Sequence, residues 1–121
     1  MGKCILVVED QADNREILRD LLTFSGFEIV EATDGAQALD AITTRRPDLI
    51  LMDIQLPVMD GYEATRRIKA DPATKDIPII VVTSYALSGD EAKARAAGSD
   101  DYVAKPFSPR ALLTKIREYL D

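Results

Sequence analysis

Apolar runs alternate with helical patterns five times along this chain, and that alternation predicts a parallel sheet with crossover helices. Cys4 to Val8, Leu49 to Met52 and Ile77 to Val82 are near-continuous apolar stretches. Such runs mark strands covered on both faces, so these three are predicted to be central. Phe27 to Ala32 is broken by Glu28 and Glu31, while Asp101 to Ala104 is short and half polar. Both read as strands nearer an edge. Ile17, Leu18, Leu21 and Leu22 form one helical stripe, and Leu112, Leu113, Ile116 and Leu120 another; each stripe is expected to bury.

Punctuation supports the same division. Asp13, Asp60 and Ser88 each stand three residues before a glutamate, the spacing of a reciprocal capping box. Gly26 and Gly98 fall where helix ends need a left-handed residue, and Ser108-Pro109 supplies a cap followed by proline in the first turn. The stretch from Pro72 to Pro78 reads as one polar loop.

Composition narrows the chemistry. With 121 residues, 46% hydrophobic and 30% charged, the chain is expected to form one domain over residues 1–121 with no output domain. A net charge of −6 disfavours nucleic acid, whose phosphates reward clustered Lys and Arg. No apolar stretch approaches the roughly 18 residues of a membrane span. A single cysteine, Cys4, allows no internal disulfide and fits a reducing, cytoplasmic setting; it reads as a small core residue. There is no histidine, which removes catalytic triads, imidazole-bound metals and a phosphohistidine acceptor. Carboxylates, hydroxyls and lysines remain.

In an open parallel sheet, ligands bind outside the carboxyl ends of the strands. Here those ends carry Glu9-Asp10, Asp53, Thr83-Ser84 and Lys105. Three carboxylates meeting in a partly buried cleft repel one another and require a compensating cation or a shared proton, and a hard divalent ion answers this. With oxygen ligands alone, Mg²⁺ is the natural choice. Glu9, Asp10 and Asp53 bring three negative charges, and one Mg²⁺ with Lys105 brings three positive, so the cluster is near neutral before a phosphate arrives. Such a site can accept a phosphoryl group, with Asp53 as nucleophile.

The motifs ILVVED, DLILMDIQLPVMDG, IIVVTSYA and DDYVAKPF stand in order and spacing over nearly the whole chain. Together they resemble a response-regulator receiver domain of the CheY type, and among these the single-domain DivK-like group. The resemblance implies a flavodoxin-like (βα)5 fold with strand order 2-1-3-4-5. It implies phosphorylation of Asp53 by the phosphohistidine of a histidine kinase or histidine phosphotransfer protein. Mg²⁺ would be held by Glu9, Asp10, Asp53 and the backbone carbonyl of Gln55, Lys105 would contact the phosphoryl group, and the Lys105-Pro106 bond would be cis. A switch pair, Thr83 and Tyr102, would remodel the face of the fourth helix, fifth strand and fifth helix for a downstream protein partner. The chain would then be a phosphoacceptor switch, not a turnover enzyme.

Bland alternatives exist for each residue taken singly. Glu9-Asp10 could be a solvated turn, Thr83 an ordinary strand residue, Lys105 a surface cation and Tyr102 a packing aromatic. Asp34, Asp60 and Asp100 read as caps or solvated faces. A phosphohydrolase of the haloacid-dehalogenase type would want a second acid two residues after the nucleophile, where this chain has Gln55. A flavin carrier would not place Glu9 and Asp10 beside a phosphate.

Overall fold

The computed structural model describes residues 2–83, 90–105 and 107–120. Ten elements alternate along it: β1 (Cys4–Val8), α1 (Ala12–Phe24), β2 (Glu28–Ala32), α2 (Gly35–Thr44), β3 (Leu49–Asp53), α3 (Gly61–Ala70), β4 (Ile79–Thr83), α4 (Asp90–Ala97), β5 (Asp101–Ala104) and α5 (Pro109–Leu120). The five strands are all parallel in order β2-β1-β3-β4-β5, the flavodoxin-like arrangement. The three continuous apolar runs are the central strands and are fully buried. The two interrupted ones, β2 and β5, are the edges, where charge can reach water.

Alternation along the strands builds two cores. Leu6, Val8, Ile50, Met52, Ile79 and Val81 face α2, α3 and α4, packing on Ala38, Ile42, Ala64 and Ile68. Ile5, Val7, Leu49, Leu51 and Ile80 face the other way, onto Leu18 and Leu22 of α1 and Leu112 and Ile116 of α5. Each such side chain removed from water stabilises the fold by about 1.5–3 kcal/mol. One stripe is narrower than its spacing predicts: Leu18 and Leu22 are buried, but Ile17 is 61% exposed. Leu21 packs against the same core while partly exposed, and Ile17 lies at the solvent margin of the stripe.

Caps divide similarly. Asp60 accepts from the Glu63 amide at 2.9 Å, as the capping signature predicts, whereas the Glu63 carboxylate turns to Arg66 and Arg67. Asp13 does not cap. Helix α1 begins at Ala12, with Gln11 in the cap position and no side-chain bond, so Asp13 sits inside the first turn. Ser88 lies outside the described residues. Asp34 caps α2 through the Gln37 amide, and Ser108 accepts from the Ala111 amide at 3.4 Å. Gly26 and Gly98 adopt φ of 95° and 104°, as their positions require.

Candidate functional site

Parallel register brings the carboxyl ends of the strands level. Val8 pairs with Met52, Asp53 with Val82 and Thr83 with Ala104. One residue beyond β1, the Glu9 amide still donates to the Ala32 carbonyl at 3.0 Å. One residue beyond β5, the Lys105 amide donates to the Thr83 carbonyl at 2.7 Å. The ladders thus extend one residue past each strand and hold the backbone amides of Glu9 and Lys105.

Glu9 is 1% exposed and Asp53 is 8% exposed, so each carboxylate must be compensated within the protein. Lys105 Nζ donates to Glu9 Oε1 at 2.9 Å and to Asp53 Oδ2 at 3.2 Å. The remaining oxygens take backbone amides: Gln11 donates to Glu9 Oε2 at 3.2 Å, and Gln55 to Asp53 Oδ1 at 3.3 Å. Burial pushes the Lys105 ammonium down. The hydrogen bond to Glu9 and the charges of Asp53 and Glu9 outweigh that penalty and hold its pKa above the ordinary lysine range.

Asp10, exposed at the mouth, completes the cluster. One carboxylate oxygen from each of Glu9, Asp10 and Asp53 lies within 4.8 Å of the others. At that separation each like-charged pair costs at least about 3 kcal/mol at an effective dielectric of about 20. Three negative charges against one lysine leave two uncompensated, the charge of one divalent cation. The available donors are all oxygen, which suits a hard ion such as Mg²⁺. Beside them a polar cleft of about 320 Å³ is bordered by Asn14 and Gln55.

The two proposed switch residues share one side of the sheet. Thr83, fully buried, alternates in register with Ile79 and Val81, and Tyr102 packs against the same core. Pro106 lies outside the described residues, and with it the expected cis bond. Sequence reasoning missed two residues that shape the site, Arg15 and Gly61, and one strained residue in the loop after β3, Val58. Arg15 of α1 donates to the carbonyls of Glu9 and Asp10. Gly61 lies directly against the acceptor strand, where a Cβ would collide with the Asp53 carbonyl and the Ile54 Cα. Val58, 86% exposed, adopts φ of 67°, the only positive value outside glycine among the described residues. Gly61 could have been suspected as the residue following the Asp60 cap; the other two leave no periodic signal.

Residues 5–117 match the response regulator receiver domain family. The chain belongs to the response-regulator receiver domains. It is 42% identical to the polar-differentiation response regulator DivK of Brucella anthropi over 120 residues, 99% of this chain and 98% of that protein. Among solved structures, the receiver domain of sensor histidine kinase PA1611 from Pseudomonas aeruginosa PAO1, with a magnesium ion coordinated in its active-site cleft, superimposes with a TM-score of 0.93. It is 39% identical, covering 99% of this chain and 98% of that one. Vibrio cholerae chemotaxis protein CheY4 gives a TM-score of 0.91 at 28% identity, covering 98% and 99%. Receiver domains are signalling switches of two-component phosphorelays, working with histidine kinases and downstream targets. Among the described residues, no helix is long and apolar enough to cross a membrane.

Proposed function

We propose that Asp53 is the phosphoacceptor, charged by the phosphohistidine of a histidine kinase or histidine phosphotransfer protein, and that its phosphorylation remodels the α4-β5-α5 face for a protein partner. The observation that carries this reading is the single ammonium of Lys105 shared by Asp53 and Glu9, with Asp10 closing the oxygen set.

In the transfer, an Asp53 carboxylate oxygen attacks phosphorus while the P–N bond to the donor imidazole breaks. The bonding pair leaves on the imidazole nitrogen. Lys105 stands where it can neutralise the transferred oxygens, the main demand of phosphoryl transfer. Glu9, Asp10, Asp53 and the Gln55 carbonyl would hold Mg²⁺, which when bound supplies the remaining positive charge at those oxygens. Asp53 loses its own charge in becoming an acyl phosphate, and the new group adds about two negative charges. That local change draws the Thr83 hydroxyl inward, and the Tyr102 ring turns into the vacated space. The chain's catalysis is confined to gaining and losing its own phosphoryl group. The setting is cytoplasmic, with no nucleic acid or membrane partner, a reading supported by the acidic surface and the lone reduced thiol.

The test is acetyl phosphate or beryllofluoride with Mg²⁺, followed by NMR of the Thr83 and Tyr102 amides. Wild type is expected to shift and Asp53→Asn to stay silent. An equal shift in the variant removes Asp53 from the role.

A further inference from the structure

The loop between β1 and α1 is only three residues, 9–11, yet it carries two of the three acidic groups. From α1, Arg15 reaches back over it. Its Nη1 donates to the Glu9 carbonyl at 3.0 Å and to the Asp10 carbonyl at 3.2 Å, and its side chain is 21% exposed. On its other side the Nε lies 3.5 Å from Glu31 Oε1 on β2. Glu31 is also held by Arg19 at 3.2 Å. One planar guanidinium thus ties the backbone of the acidic loop to the neighbouring strand, a fork geometry that an ammonium cannot reproduce.

We infer that Arg15 is a positioning residue for the cation site: by clamping the carbonyls of residues 9 and 10 it sets the directions of the Glu9 and Asp10 carboxylates toward Asp53. The inference rests on the Mg²⁺ site of the preceding section. Two effects of Arg15 oppose each other. Its positive charge repels a bound cation, so removing charge alone would tighten Mg²⁺ binding. Its hydrogen bonds hold the ligands in place, so removing the clamp loosens binding. Glu31 is shared with Arg19 and offsets only part of the guanidinium's field, and solvent at this half-buried edge screens more of it, while the two carbonyl contacts are direct. The clamp therefore dominates. Loss of such an outer partner typically weakens metal binding by about 10–100-fold.

The experiment is a Mg²⁺ titration of the full chain followed by NMR of the backbone amides of residues 10 and 53. Arg15→Met is expected to weaken Mg²⁺ binding by about tenfold, and Arg15→Lys, which keeps the charge on a single nitrogen that cannot hold the carbonyls and Glu31 at once, by less. Arg19→Met also loses Glu31 but touches neither carbonyl, and should bind as wild type does. At saturating Mg²⁺, phosphorylation of Arg15→Met by acetyl phosphate should recover the wild-type rate, since the reacting groups are intact. Wild-type or tighter binding in Arg15→Met overturns the inference. If Arg15→Met does not fold, Arg15→Lys decides, and unchanged affinity there overturns it. A wild-type chain that does not bind Mg²⁺ removes the site itself, a different failure.

Discussion

Two lysines bridge loops at opposite ends of the sheet, and their surroundings differ. At the amino end, Lys69 Nζ donates to the carbonyls of Lys75 and Ile77, at 3.0 and 2.8 Å, and to Asp100 Oδ2 at 2.7 Å. The same Asp100 oxygen accepts from the Ile79 amide at 2.8 Å. One positive charge meets one negative charge, three donor positions meet three acceptors, and the latch is complete. At the carboxyl end, Lys105 meets Glu9 and Asp53, with Asp10 close by, and the sum stays negative. Similar side chains thus make a closed structural tie in one place and a site wanting a cation in the other. The distinguishing feature is the arithmetic of charge, not the presence of buried ion pairs.

That contrast can be broken most sharply at Lys105. Lys105→Met is expected to lower the rate of phosphorylation by acetyl phosphate by about 10²–10³-fold, the usual cost of removing one fixed donor from developing charge, measured by intact mass against time. Lys69→Met should do the reverse: a loss of about 2 kcal/mol in urea unfolding, because Asp100 and two carbonyls lose their partner, with the phosphorylation rate unchanged. A rate effect at Lys69 as large as that at Lys105 would erase the distinction.

A smaller effect sharpens the picture at β5. Asp101 accepts from Lys115 and Tyr119, tying α5 to the strand that carries Tyr102. Burial, the bond to Asp101 and nearby negative charges push the Tyr119 phenol up from 10.0 to about 12. The folded state therefore holds this proton after the unfolded chain has released it. The associated stability is fully present below pH 10 and is lost as pH rises toward about 12. Tyr119→Phe should remove that component of the alkaline fall in urea midpoint.

Much of this was legible in the residues, for identifiable reasons. Central strands announced themselves because burial on both faces demands unbroken apolar runs, and edges because Glu28 and Asp101 cannot sit in a centre. The acidic cluster was legible because strand ends in a parallel sheet share one rim, so Glu9, Asp10, Asp53 and Lys105 had to be neighbours. What escaped was contact across long separations by flexible side chains. Asp100 reads locally as a solvated cap, and only the folded chain brings Lys69 from 31 positions away to close it. Ile17 matched the helical spacing, but spacing does not say how wide the packed ridge is. Asp13 competed with Gln11 for the cap, and the short exit from β1 settled the start of α1 at Ala12.

Cys4 has a practical consequence. It is the only thiol in the chain, it is 3% exposed in β1, and its amide and carbonyl are both engaged by Asp48. Burial, partly offset by Arg45, also raises its pKa, which disfavours the reactive thiolate. An alkylating reagent can reach it only when the first strand parts from its surroundings. Labelling kinetics at this one sulfur therefore count the openings of β1, and a bound effector that tightens the domain would slow them without any engineered cysteine.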